Sequence, residues 1–136
     1  MFLVKQLAQL CGVSPDAVRY YTHRGLLNPE KDRTNGYKRY SNSDVQRLKF
    51  IQLAKRLGYT LNEIARIFAD CEKGKSPCPR VREIIERRID DNRKLLEQQM
   101  KLQIRMEKAL KQWKKMKDGN PNGETICLLI ESFDEG

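Results

Sequence analysis

The side chains with the most distinctive chemistry in this 136-residue sequence are the cysteines at positions 11, 71, 78 and 127. They are too few and too widely spaced for the disulfide framework of a small secreted protein, so we expect free thiols. Thiolates bind soft metal ions and react with oxidants, which makes some of them candidate ligands or sensors. Cys11, on an apolar helical stretch, is most simply a core residue.

Basic side chains form a second chemical group, and they lie mainly in the first half of the chain. The formal net charge is +9, and residues 1–70 carry 12 Lys or Arg against 6 Asp or Glu. Residues 118–136 carry five acids and no Lys or Arg. This distribution indicates a polyanionic partner, nucleic acid before membrane, although a soluble basic protein is the simpler alternative.

Several classes of protein are disfavoured by what the sequence lacks. No apolar run approaches the roughly 20 residues of a membrane span, and the first residues do not form a secretory signal. We therefore expect a cytoplasmic protein. No nucleophile–base pair, phosphate-binding glycine loop or paired carboxylates suggest an enzyme.

The first 25 residues predict two short helices joined by a turn. Apolar residues repeat at helical spacing from Val4 and stop at Gly12, a residue that ends helices readily. Ser14-Pro15-Asp16 is a strong helix start, and the second helix should run to near Gly25. Helix, glycine-containing turn and helix form the helix-turn-helix pattern.

A basic, aromatic hairpin is predicted directly after this pattern. Asn35-Gly36 is a strong hairpin signal, because both positions tolerate a positive φ. Arg33, Tyr37, Lys38, Arg39 and Tyr40 flank it. A hairpin of this composition in this place is typical of a wing.

The remainder of the chain predicts helices. One is opened by Ser41 or Ser43 with Asp44 and runs from Val45 to Leu57. A capping box of Thr60 and Glu63 begins the next. After a break at 70–79, residues 80–117 lack Gly and Pro and should form one long helix. Residues spaced alternately four and three apart form a mainly apolar seam along this helix, although three of them are polar. A second copy of the helix is the best partner to cover this seam. The seam residues are Ile85, Ile89, Asn92, Leu96, Gln99, Gln103, Met106, Leu110 and Trp113.

These elements give four expected regions: a DNA-binding domain at 1–70, a linker at 71–79, a dimerisation helix at 80–117 and a terminal segment at 118–136. Within the last region, 118–123 should be a loop and 124–133 a short apolar helix.

Three stretches of the sequence resemble the MerR family of regulators: Val18-Arg19-Tyr20-Tyr21 with Gly25-Leu26-Leu27, Gly36-Tyr37-Lys38-Arg39-Tyr40-Ser41, and Leu57-Gly58-Tyr59-Thr60-Leu61.

The resemblance covers nearly the whole chain and implies a fold and a mode of action. The fold would be mostly α, a winged helix-turn-helix followed by a long antiparallel coiled-coil helix and a short terminal helix. A homodimer would bind a near-palindromic promoter in double-stranded DNA and distort it, so that RNA polymerase engages both promoter elements.

The DNA-facing residues follow from this fold and from side-chain chemistry. Arg19 can reach a base edge or a phosphate, and Tyr20 can donate to a phosphate. Wing residues Lys38 and Arg39 should contact the DNA backbone. Tyr40 could instead pack in the core. The full predicted set is Ser14, Ala17, Arg19, Tyr20, Arg24, Tyr37, Lys38, Arg39 and Arg56, with a solvated surface charge as the simpler interpretation for Arg24 and Arg56.

The resemblance also suggests an effector. In metal-sensing members one cysteine precedes the long helix and two lie near the chain end, and Cys78 and Cys127 match the first and the last. The dimer would bring Cys78 of one chain to Cys127 of the other, a pair suited to Zn, Cd, Pb or Hg. The copper(I) sensors lack the first cysteine.

The middle cysteine is missing, since Asp118 and Gly119 occupy the expected place. A third ligand would be Asp118, Glu124, Met116, Cys71 or water. Alternatives are a redox response, for which Cys71 and Cys78 could pair, and an organic effector. The organic effector is disfavoured because drug-sensing members usually carry a large further domain, which we do not expect here. An architectural coiled-coil DNA-binding protein is the alternative from a different class.

Overall fold

The computed structural model describes residues 1–135, which form two compact units, Met1–Ile84 and a second that begins at Ile85. The mostly helical architecture predicted from the sequence is confirmed. Among the described residues, no helix is both long and apolar enough to cross a membrane. The elements are α1 (Val4–Cys11), α2 (Pro15–His23), β1 (Glu30–Lys31), β2 (Lys38–Arg39), α3 (Asn42–Arg56), α4 (Leu61–Glu72), α5 (Cys78–Trp113) and α6 (Leu128–Glu131).

Helices α1 and α2 form the predicted helix-turn-helix. Gly12 follows α1 with a φ of 70°, a left-handed conformation that glycine adopts at little cost. The Ser14 hydroxyl then accepts a hydrogen bond from the backbone N–H of Ala17 at 3.1 Å, and Pro15 occupies the first position of α2. Ser14 and Pro15 therefore begin α2, as the sequence predicted.

The wing is a two-stranded antiparallel hairpin in which Glu30 pairs with Arg39 and Lys31 with Lys38. Its turn differs from the expected one, because only Gly36 takes a positive φ, of 74°. The Asn35 side chain instead accepts a hydrogen bond from the N–H of Tyr37 at 3.0 Å. The connection between the strands is thus the six-residue segment 32–37, wider than a two-residue turn.

Tyr40 joins the wing to the rest of the first unit. Its backbone exchanges two hydrogen bonds with Phe2, at 2.8 and 2.7 Å, and its hydroxyl lies 2.7 Å from the Thr22 hydroxyl. The ring is completely buried. Tyr40 is therefore a core residue, which decides between the two interpretations that the sequence left open.

Helix α4 begins with the expected capping residues, and α3 begins with Ser41 rather than the alternative Ser43. Ser41 and Asp44 cap α3 reciprocally, and the buried Asp44 carboxylate also accepts the N–H of Asn28 at 2.9 Å. Thr60 and Glu63 cap α4 in the same way. The apolar core beneath these helices includes Leu7, Val18, Leu26, Leu27, Leu48, Ile51, Ile64, Ile67 and Ile84.

The bounds of α5 differ from the predicted 80–117. The helix begins at Cys78, because Ser76 accepts the N–H of that residue at 3.3 Å and Pro79 needs no N–H partner in a first turn. It ends at Trp113, after which the N–H groups of Lys115 and Met116 donate to the carbonyl groups three residues before them. Cys78 is thus the first residue of the long helix rather than a residue in front of it.

The terminal helix α6 is shorter than the predicted 124–133. Asn122 accepts the N–H groups of Glu124 and Thr125 at 3.0 and 2.9 Å, which holds these residues in a turn. Glu131 accepts the N–H groups of Ile126 and Cys127 at 2.9 and 2.8 Å. Helix formation is therefore restricted to the four residues that follow Cys127.

Candidate nucleic-acid interface and cysteine positions

Helix α2 presents Arg19 and Tyr20 to solvent. The Arg19 side chain is 56% exposed, and its Nη1 donates to Asp16 Oδ1 at 2.9 Å. Asp16 is 94% exposed, so water and dissolved ions compete with Arg19 for its carboxylate and the ion pair is weak. Half of the Tyr20 surface is also exposed. Both predicted contact residues are therefore available to a ligand.

Arg24 caps the end of α2 and makes two further contacts. Its Nη1 donates to the Tyr20 hydroxyl at 2.9 Å, with the guanidinium carbon 5.8 Å from the Tyr20 ring centre. Its Nη2 donates to Asn62 Oδ1 on α4 at 2.8 Å. Arg24 and Tyr20 therefore act as one basic, aromatic pair. Asn62 was absent from the residues predicted from the sequence.

A cleft of about 610 Å³ lies where α1, α2 and the wing meet. Arg19, Tyr37 and Lys38, all predicted to face DNA, line it, and so do Lys5 and Gln6 from the first turn of α1. Three basic side chains around one opening favour an anionic ligand such as a phosphate. Lys5 and Gln6 were not predicted, although the basic character of Lys5 at an exposed helix start was a usable signal.

The other predicted DNA-facing residues lie in different surroundings. Ser14 is exposed, but its hydroxyl already caps α2, and Ala17 is half-buried. Arg39 is half-buried and donates from Nε to Asp32 Oδ2 at 2.8 Å, which holds the pKa of Asp32 below its ordinary value, assisted by the N–H of Thr34. Arg56 is exposed in the last turn of α3 and does not line the cleft.

The cysteine environments separate into two kinds. Cys71 and Cys78 are exposed, the first near the end of α4 and the second at the start of α5. Cys11 is half-buried, and burial raises the pKa of its thiol although Lys49 opposes the effect. Cys11 is thus a poor source of thiolate, but it is half-buried and not the core residue predicted from the sequence.

Cys127 is half-buried immediately before α6. All four cysteines are free thiols in a single chain. Within residues 1–135 of one chain, no three Cys, His, Asp or Glu side chains come together in a way that could hold a metal ion.

Comparison with known proteins gives a consistent assignment. Residues 2–71 match the family described as MerR HTH family regulatory protein, and residues 45–113 match the family described as MerR, DNA binding. A mercuric resistance operon regulatory protein of Bacillus cereus is 35% identical, over 97% of this chain and 96% of its own. A probable heavy metal-dependent transcriptional regulator of Haemophilus influenzae is 30% identical, over 96% and 97%.

A similar fold occurs in the lead(II) complex of the transcription regulator PbrR691 from Ralstonia metallidurans CH34. The TM-score is 0.76 at 18% identity, over 98% of this chain and all of that one. The exposed basic and aromatic face of α2, the wing beside it and the family matches together identify the function. The chain belongs to the MerR family of DNA-binding transcriptional regulators.

Proposed function

We propose that two copies of this chain bind a promoter and regulate transcription in response to a soft or divalent heavy metal ion, held by Cys78 of one copy and Cys127 of the other. The observation that carries the proposal is the place of Cys78. It is an exposed thiol at the first residue of α5, in a chain 35% identical over nearly its whole length to a mercury resistance regulator.

The surface of α5 supports a homodimer. Ile89, Leu96, Met106 and Leu110 of the predicted seam are each more than half exposed in a single chain. Apolar side chains recurring along one stripe of a helix are normally covered, and a second α5 supplies a matching stripe. Dimerisation also places two copies of α2 on one DNA duplex, as a near-palindromic site requires.

The DNA-binding role is assigned to residues 1–70, with α2 as the recognition helix. Arg19 and the Arg24–Tyr20 pair would approach the major groove, while Tyr37, Lys38 and Arg39 of the wing would contact the backbone. Bending of the promoter by the dimer would then position both promoter elements for RNA polymerase.

The thiol chemistry fits a soft ion. Cys78 and Cys127 offer two thiolate donors, which suit linear or trigonal coordination of Hg(II), or a site for Zn, Cd or Pb completed by another donor. Asp118 and Glu124 are exposed carboxylates available for that purpose. Met116 is less available, because its sulfur already accepts a weak hydrogen bond from Ser132 at 3.8 Å. Cys71 and water complete the candidate donors.

A metal titration of the reduced protein tests the proposal. The wild-type chain and the Cys78→Ser, Cys127→Ser and Cys71→Ser variants would each be titrated with Zn(II), Cd(II), Pb(II), Hg(II) and Cu(I), using competition for affinity and native mass spectrometry for stoichiometry. We expect up to two ions per dimer, lost in both Cys78→Ser and Cys127→Ser. Because Cys71 is a third-donor candidate, its variant shows whether that thiol adds to the site.

Cys11→Ala is the matched control, since it removes a half-buried thiol that belongs to neither proposed donor position, and it should bind metal like the wild type. Tight binding that survives in Cys78→Ser would remove Cys78 from the site. Failure of every ion to bind tightly would contradict metal sensing and favour an oxidant or an organic molecule as the effector.

A further inference from the structure

Helix α4 makes side-chain hydrogen bonds at both of its ends. At the first end, Asn62 Oδ1 accepts the Arg24 Nη2–H at 2.8 Å, and the other guanidinium nitrogen donates to the Tyr20 hydroxyl at 2.9 Å. Asn62 is itself exposed and neutral. The position of the Arg24–Tyr20 pair on α2 therefore depends on a residue of α4.

At the other end, Asp70 receives two hydrogen bonds from Arg80, at 2.7 Å from Nε and 3.3 Å from Nη2. The Asp70 side chain is 16% exposed, and the bonds from Arg80 hold the pKa of its carboxyl below the ordinary value. Two-point contact between a guanidinium and a carboxylate fixes distance and orientation together. Arg80 lies in the first turn of α5, two residues after Cys78.

Between these contacts α4 is continuous. Ile64 and Ile67 are buried along one side of it, which keeps the helix seated on the core. Asn62 and Asp70 are eight residues apart, about 12 Å along the axis. A packed helix of this length shifts as a rigid piece rather than bending, so a displacement at Asp70 reaches Asn62.

We propose that α4 couples the Cys78 end of α5 to the Arg24–Tyr20 pair on the DNA-facing helix, with the Asp70–Arg80 ion pair as one connection and Asn62 as the positioning residue at the other. The roles of Cys78 and of the Arg24–Tyr20 pair rest on the proposed function. The connection itself is a property of the Met1–Ile84 unit and can be tested without metal.

The test is a double-mutant cycle on operator affinity. The operator would be a duplex selected from random sequences by the wild-type dimer, and the proteins would be wild type, Asn62→Ala, Asp70→Asn and the double variant. Asn62→Ala should weaken operator binding roughly threefold to tenfold, because Arg24 loses a neutral hydrogen-bond acceptor. Asp70→Asn should weaken it in the wild-type background and have no further effect beside Asn62→Ala.

Two sites about 12 Å apart without a shared partner normally contribute additively. Additive effects, or no effect of Asp70→Asn in either background, would overturn the proposal. Asp91→Asn is the matched control, because it removes the same charge from an exposed position of α5 and should leave operator affinity unchanged. Circular dichroism and thermal unfolding would show that each variant is folded.

Salt dependence separates positioning from direct contact. Asn62→Ala acts only through Arg24, so it should reduce the slope of log affinity against log salt concentration by no more than Arg24→Ala does. A larger reduction in Asn62→Ala than in Arg24→Ala would mean that Asn62 does more than position Arg24, and it would overturn the assignment.

The same operator-binding measurements with added Hg(II) test the connection to Cys78. Asp70→Asn should bind Hg(II) as the wild type does but lose most of the Hg(II)-dependent change in operator affinity. Retention of the full change would overturn the coupling role. If the wild type binds no Hg(II), the proposed metal sensing fails for this ion, and the metal-free cycle still decides whether α4 couples its two ends.

Discussion

Arg19→Ala is expected to abolish selective operator binding while leaving weak, non-selective DNA binding in place. A guanidinium paired with a guanine edge contributes about 1–3 kcal/mol of discrimination at each half-site, or roughly fivefold to 150-fold in affinity. The Arg19 side chain can make this contact, because Asp16, its ion-pair partner within residues 1–135, is almost fully exposed. The affinity for unrelated duplex DNA should fall much less, through the loss of one charge.

The measurement is a competition titration at physiological salt, with the selected operator and a scrambled duplex of the same length. Arg82→Ala is a suitable control, since it removes an equivalent exposed charge from α5. If Arg19→Ala retains operator affinity within about twofold of the wild type, the residue makes no sequence-reading contact. The recognition role would then pass to the Arg24–Tyr20 pair.

Cys78→Ser is expected to leave operator binding intact and to abolish the response to metal. A hydroxyl has nearly the same shape as a thiol but is a poor donor to soft ions, so the affinity for Hg(II) or Cd(II) should fall by more than about 100-fold, the upper range for a lost supporting residue. The fold should not change, because Cys78 is exposed and its backbone N–H, rather than its sulfur, bonds to Ser76.

Transcription in vitro from a promoter carrying the operator gives the readout, with operator affinity measured in parallel without metal. Wild-type protein should change promoter output when metal is added, and Cys78→Ser should give the same output with and without it. A variant that responds fully would end the thiol hypothesis. Loss of operator binding without metal would instead show that Cys78 supports the fold.

The helical elements could be predicted because their local signals agree with their tertiary context. Ser14 and Thr60 each cap the helix that they were expected to begin, and Ser41, one of the two serines predicted to begin α3, caps that helix. The turn of the wing was predicted less well, because Asn35 has an alternative use for its side chain, a hydrogen bond to Tyr37, that backbone preference alone does not reveal.

Contacts between distant residues could not be predicted. Arg24 and Asn62 are 38 positions apart, and Asp70 and Arg80 come from different helices. Nothing in their local sequence distinguishes them from solvated surface side chains, which is the simpler interpretation of Arg24. Tyr40 shows the same limit, since its backbone pairs with Phe2, which precedes the helix-turn-helix in the sequence.

A mixed dimer tests most directly whether a metal site forms from Cys78 of one chain and Cys127 of the other. Cys78→Ser and Cys127→Ser chains, carrying different affinity tags, would be unfolded together, refolded under reducing conditions and purified through both tags. Each homodimer lacks one donor at both sites, whereas the mixed dimer has one complete site and one that lacks both donors.

Native mass spectrometry with Hg(II) and Cd(II) should find one tightly bound ion in the mixed dimer and none in either homodimer. The mixed dimer would then show half of the wild-type stoichiometry. A mixed dimer that binds no ion, while the wild type binds two, would place both cysteines of each site in the same chain and contradict a site shared between two chains.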